Sequence, residues 1–223
     1  MTATPTPAPG PKTAPAPAPK ATPRRNAGVG SDRRAELLAL AAGLFAEHGY
    51  KNTTVRDIAD AAGILSGSLY HHFDSKETMV DEILSNFLAE LFGRYRDIAA
   101  TEADPRKVFE ALVAESFRAI DRHHAAVSLY QNEGKQLGQL PRFAYIKDSD
   151  REFREIWLGT LEKGIASGAF RSDLDATLAY RFVRDTVWVA VRWYSPGGKL
   201  TAEAIAAQYL AMILEGFLGR DHS

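Results

Sequence analysis

The sequence predicts an all-α fold of about nine helices, divided into an N-terminal helix-turn-helix unit and a larger C-terminal helical domain. After residue 30, apolar side chains recur every three or four positions, which is the period of a half-buried helix. No stretch shows the sustained alternation of apolar and polar residues that is typical of strands. Glycine and proline separate the helical segments, most clearly at Pro196-Gly197-Gly198.

Composition and charge exclude several classes of protein. The 223 residues are 45% hydrophobic, which is ample for a buried core, and they include no cysteine. Disulfides, thiolate metal sites and cysteine nucleophiles are therefore excluded, and the expected location is the reducing cytoplasm. No apolar run approaches the roughly 20 residues that span a bilayer, so no membrane partner is expected. Because the formal net charge is −1, binding of a polyanion would depend on a local patch.

Residues 1–30 form a Pro/Ala-rich arm that we expect to be disordered. They hold eight of the eleven prolines and almost no large apolar side chain, so they cannot contribute to a core. The charged residues of the arm are all positive, namely Lys12, Lys20, Arg24 and Arg25. Two interpretations stay open: a solvated linker, and a basic arm that contacts nucleic acid beside the folded unit.

Residues 31–79 predict a helix-turn-helix unit. A first helix carries a continuous apolar face. The second begins at Thr54, whose hydroxyl is the expected N-cap, with Asp57 as its capping-box partner. Gly63 then permits a sharp turn into a third helix at 66–73. Two short helices joined by a tight turn, after a supporting helix, describe the helix-turn-helix motif.

Residues 80–223 predict a second helical domain. A long fourth helix begins near Ser75 and keeps its apolar stripe for about five turns. Further amphipathic helices follow, and the chain closes with two helices at 173–194 and 201–218.

The second and third helices carry the signature of a known family. Residues 53–59 read TTVRDIA and residues 67–77 read GSLYHHFDSKE, with Ala62-Gly63 between them. This pattern, about 50 residues in register, resembles the N-terminal signature of the TetR family of bacterial regulators. The resemblance implies a homodimer that binds double-stranded operator DNA and represses transcription until a small-molecule effector releases it. It also implies that residues 80–223 bind the effector and form the dimer.

The resemblance implies DNA contacts that the chemistry of each position supports. Small residues at the start of the third helix let its backbone approach the major groove closely. The tyrosine and histidine beyond them offer donors to phosphates, and a lysine at the start of the fourth helix supplies a positive charge. The hydroxyl before the second helix can bind a phosphate or only cap the helix, and the two roles are compatible. The expected contacts are Thr54, Ser66, Gly67, Ser68, Tyr70, His71 and Lys76.

One position departs from the family pattern. Most relatives carry serine or threonine where this chain has Leu65. In the family, that hydroxyl caps the third helix, which is the recognition helix, and contacts a phosphate. Either Ser66 takes over the cap or the cap shifts by one residue. The operator sequence therefore does not follow from the family.

The helix at 173–194 carries a face suited to an anionic, partly aromatic ligand. Tyr180, Arg184, Trp188 and Arg192 are spaced by four and share that face. The aromatic rings offer flat apolar surface, and the guanidinium groups offer forked donors to phosphate or carboxylate. The alternative is that the arginines only pair with nearby carboxylates in a solvated network.

A second wall of the ligand site is expected from Tyr130 and Phe143, two aromatic residues beside polar groups. The strings GILSGSLYHHF, RFAYIKD and YRFVRDTVWVAVRWYSPGG resemble the actinobacterial KstR-type branch of the family, repressors of cholesterol ring degradation. This resemblance implies that the effector is a coenzyme A (CoA) thioester of a steroid-ring fragment, held in part by Arg184 and Trp188. No other cofactor and no metal are expected.

The last helix predicts a dimer interface. Ile205, Tyr209, Met212 and Phe217 lie on one broad apolar face, and small residues beside them would allow another helix to approach closely. Together with the preceding helix, this face could form a four-helix interface across a two-fold axis. An ordinary core within one chain is the alternative.

Catalytic motifs are missing from the sequence, which predicts that the chain is not an enzyme. It contains no GxSxG elbow, no HExxH pair and no phosphate-binding loop. Three other functions stay open: a regulator of the same type that responds to a different hydrophobic or acyl-CoA ligand, a helical binding protein without DNA function, and an activator without an effector.

Overall fold

The computed structural model describes residues 1–2 and 27–215. That part of the chain contains nine α-helices, two short 3-10 helices and no strand, so the prediction of an all-α fold is confirmed. The α-helices are α1 (Ala27–His48), α2 (Val55–Ala61), α3 (Ser66–Leu69), α4 (Lys76–Thr101), α5 (Pro105–Arg122), α6 (His124–Leu137), α7 (Tyr145–Ala166), α8 (Ala176–Trp188) and α9 (Ala202–Glu215). The 3-10 helices are Pro141–Phe143 and Val189–Arg192.

The first helix begins earlier than the sequence predicts. Because α1 starts at Ala27, the boundary expected after residue 30 lies four residues too late. The segment 27–30 reads AGVG, and its two glycines leave no apolar stripe that would reveal a helix. Residues 3–26 of the expected arm lie outside the described residues.

The helix-turn-helix unit has the turn and the cap that its sequence predicts. The Thr54 side chain accepts a hydrogen bond from the Asp57 amide, and the Asp57 carboxylate accepts one from the Thr54 amide at 2.7 Å. These two bonds satisfy amides that a helix start leaves unpaired. Gly63 has a φ of 66°, a conformation that side chains other than glycine rarely adopt, and it turns the chain towards α3.

The third helix is shorter than predicted. Its α-helical part ends at Leu69, and residues 70–73 continue as turns in which the amides of His72 and Phe73 both bond the Leu69 carbonyl, at 2.9 and 3.0 Å. Leu69 and Phe73 are buried in the core that α3 shares with α1, α2 and α4. Packing of these two side chains therefore holds α3 in place.

Short polar side chains begin the helices of the C-terminal half. Ser75 accepts from the Thr78 amide at the start of α4, Asp104 precedes Pro105 at the start of α5, and Asp175 accepts from an amide of α8. Each cap satisfies an amide that has no partner inside its helix. Among the described residues, no helix is long and apolar enough to cross a membrane.

The core of the C-terminal half is largely aromatic, and α5 lies at its centre. α5 packs against α4, α7, α8 and α9. The Trp157 ring is 1% exposed and meets Tyr95 and Phe109 edge-on, with centroids 6.2 and 5.8 Å apart. Edge-to-face contacts of this kind add to the stability from burial alone.

The eighth helix ends before its predicted boundary. α8 stops at Trp188, and a 3-10 helix at Val189–Arg192 replaces the continuation expected to residue 194. The His124 Nε2 atom lies 3.0 Å from the carbonyl oxygens of both Val191 and Tyr194, so a side chain from α6 contacts this end of the element. A 3-10 helix has about three residues per turn rather than 3.6, so side chains beyond Trp188 leave the face that α8 presents.

Substitution of Gly164 by alanine is expected to destabilise this domain. A Cβ atom at Gly164 would overlap the Phe170 ring, which is already packed edge-on against Phe109 with centroids 5.7 Å apart. Overpacking of a core costs about 1–3 kcal/mol. In the same helix, a Cβ at Gly159 would meet nothing within 4 Å, so Gly159→Ala should be neutral or stabilising by about 0.5–1 kcal/mol. Urea unfolding of both variants measures the difference, and equal stabilities would contradict it.

Candidate functional site

A cavity of about 720 Å³ opens between α4, α6, α7 and α8. Its volume lies within the range of about 300–1,000 Å³ that is usual for small-molecule sites. The floor is apolar and comes from α4 and α7, with the side chains of Phe87, Leu88, Leu91, Phe92, Ile146 and Phe153. Such a surface binds an apolar group by removing it from water.

Positive charge dominates the polar part of the cavity wall. Five cationic side chains line it, together with one carboxylate, that of Asp150. The cations are Lys135, Lys147, Arg154, Arg181 and Arg184, and all five are exposed, so they lie on the solvent side of the cavity. Within residues 27–215, no carboxylate forms an ion pair with Lys135, Arg154 or Arg181. An anionic ligand would therefore find cations that are not already neutralised.

The face of α8 combines aromatic surface with a guanidinium group, as the sequence predicts. Tyr180, Arg184 and Trp188 all line the cavity. The Arg184 guanidinium lies over the Tyr180 ring, 5.6 Å from its centroid, while its Nε donates to the Asp185 carboxylate at 2.7 Å. That hydrogen bond raises the pKa of Arg184. Arg184 thus pairs with a carboxylate, as the alternative interpretation predicts, and it also lines the cavity, whereas its role as a ligand contact stays a prediction.

Trp188 forms a rigid part of the wall. It is 6% exposed and meets the rings of Phe87 and Phe153 at centroid distances of 6.4 and 6.0 Å. The two partner rings come from α4 and α7, so packing against two other helices gives the indole a defined orientation.

A hydrogen bond joins the two sides of the cavity. The Tyr130 hydroxyl of α6 donates to the Asp150 carboxylate of α7. Burial raises the pKa of Tyr130, and the nearby charge of Asp150 raises it further. The phenol therefore stays neutral near pH 7 and gives the cavity a polar group beside its apolar floor.

Two of the predicted effector residues lie away from the cavity. Phe143 is 1% exposed and belongs to the core, beside the Tyr145 ring. Arg192 is exposed on the 3-10 helix after α8, because the change of helical period removes it from the face of Arg184. Sequence reasoning did not find Asp150 or Arg154. Their spacing of four residues on one face of α7 was the signal available for this pair.

The recognition helix presents an exposed face with unused hydrogen-bonding groups. Leu69 points into the core, while Ser66, Gly67, Tyr70 and His71 follow one another around the opposite side. Ser66, Ser68, Tyr70 and His71 form no side-chain hydrogen bond or ion pair in the part of the chain that the structure describes. The phenol of Tyr70 is 54% exposed. Donors that the fold leaves free on a solvent-facing helix suit contacts with phosphates or base edges.

Gly67 has no side chain although the fold has room for one. A Cβ at this position would meet nothing within 4 Å, and its φ is not positive. Glycine inside a helix costs about 0.5–1 kcal/mol relative to alanine, so the fold alone does not explain it.

Lys76 has a structural role that its sequence position did not predict. Its ammonium group donates to the carbonyl oxygens of Tyr50 at 2.9 Å and Thr53 at 3.1 Å, and it lies 4.4 Å from the centroid of the Tyr50 ring. Two of its three N–H groups therefore hold the turn before α2, and only the third remains for a phosphate. Thr54 is exposed, but its hydroxyl bonds Asp57 within the capping box.

Neither arrangement expected for the cap of the recognition helix is present. Leu65 occupies the N-cap position of α3, and no side chain caps the helix. Ser66 therefore does not take over the cap, and the cap does not shift. The Leu65 side chain is 80% exposed.

Most of the predicted dimer face packs within its own chain. Tyr209 is buried, meets the Phe117 ring at 5.7 Å and exchanges a hydrogen bond with Thr186 at 2.8 Å. Ile205 and Met212 are half-buried against the same core, and Phe217 lies outside the described residues. Tyr209 thus packs within its own chain, since helical period defines an apolar face but not the partner that covers it, and its place in a dimer interface stays a prediction.

A different apolar stripe is exposed beside this core. It consists of exposed apolar side chains on α8, on the following 3-10 helix and just after it, and we call it the α8 stripe: Leu178, Phe182, Val189 and Trp193. The most exposed member is Phe182, at 61%. Several large apolar side chains exposed close together in the chain are typical of an interaction site.

Two family models match the chain. Residues 37–83 match the model described as bacterial regulatory proteins, tetR family, which covers most of the helix-turn-helix unit and the start of α4. Residues 102–217 match the model described as Tetracyclin repressor-like, C-terminal domain, which covers α5 to α9. The cavity lies mainly within the second match.

Curated and solved relatives extend over most of the chain. The HTH-type transcriptional repressor KstR2 of Rhodococcus jostii strain RHA1 is 61% identical over 83% of this chain and 91% of its own length. The repressor of the same name from Mycobacterium tuberculosis is 57% identical over 86% of this chain and 96% of its own. The structure of the ketosteroid transcriptional regulator KstR2 of Mycobacterium tuberculosis superposes with a TM-score of 0.81, at 56% identity, over 84% of this chain and 96% of that one.

Proposed function

We propose, because the chain belongs to the TetR family of bacterial transcriptional regulators, that it binds operator DNA as a homodimer and leaves it on binding a CoA thioester of a steroid catabolite. It is a TetR-type transcriptional repressor and not an enzyme. Operator DNA as the partner implies the bacterial cytoplasm as the place of action. The observation that carries the effector part is a cavity with an apolar floor and cations on its solvent side.

The recognition helix supports the DNA part of the proposal. Its exposed side carries hydroxyl, phenol and imidazole groups that the fold does not use, at Ser66, Tyr70 and His71. Gly67 between them lets the backbone come close to a base edge. Ser68 completes the set of expected contacts, whereas Lys76 contributes less because two of its donors are already used.

The charge pattern of the cavity supports a CoA thioester as effector. Free CoA carries several phosphates, and forked guanidinium donors such as Arg154, Arg181 and Arg184 suit them. An adenine ring or a fused-ring acyl group fits against flat aromatic surface such as Trp188. The Tyr130–Asp150 pair supplies a polar contact for an oxygen of the acyl group. A regulator that responds to another acyl-CoA ligand is the second candidate, since the same cations would bind it.

The α8 stripe supports the homodimer. Two copies related by a two-fold axis would cover the stripe on both chains and bring four helices together, namely α8 and α9 of each chain. This interface differs from the one that the sequence predicts on the last helix, since the buried side of α9 already packs on α5.

The long helix α4 links the cavity to the recognition helix. It begins just after α3 and contributes Phe87 and its neighbours to the cavity floor. Near its start, the Asp81 carboxylate accepts from Arg142 at 3.0 Å, and the Asp81 carbonyl accepts from the Tyr145 hydroxyl at 3.3 Å. A ligand between α4 and α7 would move α4 as a lever and change the spacing of the two recognition helices.

Fluorescence anisotropy tests the whole proposal. A labelled fragment from the region upstream of the gene is titrated with the full chain at physiological salt, and then with steroid-derived CoA thioesters or free CoA. We expect tight binding, release by the thioester and no release by CoA alone. Binding without release would keep the DNA-binding function and reject this effector class; absence of binding, with a neighbouring intergenic fragment as control, would reject DNA as the partner.

Arg184→Ala is expected to leave the DNA affinity unchanged and to blunt the release by ligand. A hydrogen bond to a charged group contributes roughly 1.5–3 kcal/mol, so the thioester concentration for half-release should rise at least about tenfold. Arg192→Ala is the matched control, because it removes the same side chain outside the cavity. Full response of Arg184→Ala to the ligand would refute the role of this arginine.

A further inference from the structure

Leu65 is the most conspicuous apolar side chain on the helix-turn-helix unit. Between residues 32 and 83, every large apolar side chain is buried or half-buried except Leu65 and Tyr70. Leu65 is 80% exposed, against 54% for Tyr70. They are the N-cap and the C-cap residues of α3, so the unit exposes large apolar side chains only at the two ends of this helix, where it would meet DNA.

The fold itself does not account for a leucine at this position. The side chain packs against no core, and it cannot form the hydrogen bond that caps a helix. Serine, threonine, asparagine or aspartate would stabilise α3 from the same place. Two residues further on, Gly67 leaves open space where another molecule can approach. The leucine therefore stands at the edge of the surface that comes closest to a partner.

We propose that Leu65 contacts the 5-methyl group of a thymine in the major groove of the operator. A leucine side chain has no donor or acceptor, so it cannot bind a phosphate or the polar edge of a base. The thymine methyl is the one apolar group that the major groove presents, and apolar side chains read it by direct contact. Leu65 thereby sets base preference at one position of each half-site. This inference rests on the proposed DNA-binding function.

Uracil substitution isolates the methyl group, because uracil differs from thymine only by its absence. Each thymine of the bound fragment is replaced by uracil in turn, and the dissociation constant is measured by anisotropy for the wild-type chain and for Leu65→Ala. At one thymine in each half-site, uracil should weaken wild-type binding about fourfold, the loss expected for one buried methyl group. Leu65→Ala should bind the thymine fragment at least as weakly as the wild-type chain binds the uracil fragment. Its affinity should not change when that thymine is replaced by uracil.

A matched control separates this contact from a general loss of apolar surface. Leu200 is 58% exposed in the segment before α9, away from the recognition helix. Leu200→Ala should keep the wild-type affinity and the wild-type response to uracil. Because the Leu65 side chain is exposed, the thermal unfolding of Leu65→Ala should match that of the wild type.

The outcomes distinguish this inference from the proposed function. If the wild-type chain binds the fragment but no uracil substitution matters, or if Leu65→Ala responds to uracil as the wild type does, the thymine contact is overturned and the DNA-binding function stands. If the wild-type chain binds no upstream fragment, the DNA-binding function fails and the thymine contact fails with it.

Discussion

Gly67→Glu is expected to abolish operator binding while the helical fold remains intact. The new side chain has room, since a Cβ at Gly67 would meet nothing within 4 Å and φ is not positive. Any residue other than proline should therefore suit the helix at least as well as glycine does. Facing DNA, however, glutamate places bulk and a negative charge against the phosphates. Like charges brought together at an interface cost several kcal/mol, which corresponds to a loss of affinity of at least about 100-fold.

The matched control for Gly67→Glu is Gly159→Glu. A Cβ at Gly159 also meets nothing within 4 Å, and the residue lies in α7 of the C-terminal half. This variant should bind the operator with wild-type affinity. Anisotropy gives the affinities, and circular dichroism during thermal unfolding checks the fold. Wild-type operator binding by Gly67→Glu would mean that α3 does not face the groove in the way proposed.

Phe182→Glu is expected to dissociate the proposed homodimer. The Phe182 side chain is 61% exposed in the single chain, so the monomer loses little by the change. In a two-fold interface the same residue occurs on both chains, and each glutamate would be buried without a partner. An unpaired buried charge costs about 3–5 kcal/mol, so the dissociation constant of the dimer should rise at least about 1,000-fold. The affinity for an operator with two half-sites should fall as well, because each monomer then binds alone.

Sedimentation velocity at micromolar protein concentration measures the dissociation. Leu140→Glu is the control, since Leu140 is also exposed, at 48%, but lies between α6 and the first 3-10 helix and is not part of the α8 stripe. It should remain a dimer. If Phe182→Glu still sediments as a dimer, the interface must lie on another surface. That result would not affect the proposed roles of the cavity and of the recognition helix.

Parts of the candidate site follow from residues close together in sequence. Tyr180, Arg184 and Trp188 share one helix face because their spacing of four matches the helical period, and all three line the cavity. Arg192 continues the spacing of four but does not line the cavity, since the element changes to a 3-10 helix, in which His124 contacts the Val191 carbonyl oxygen. Phe143 does not line the cavity for a different reason. An aromatic residue beside polar groups can face a ligand or a core, and Phe143 faces the core.

The sequence by itself determined the all-α class, the helix-turn-helix unit, the capping box at Thr54 and the family. These depend on local period, on turn chemistry and on a motif in register, all of which are contained in short segments. Only the tertiary structure decided that Lys76 holds a turn, that Tyr209 packs inward and that the α8 stripe stays exposed. Each of those outcomes depends on contacts between residues far apart in the chain, because a helical period specifies a face and leaves open which neighbour covers it.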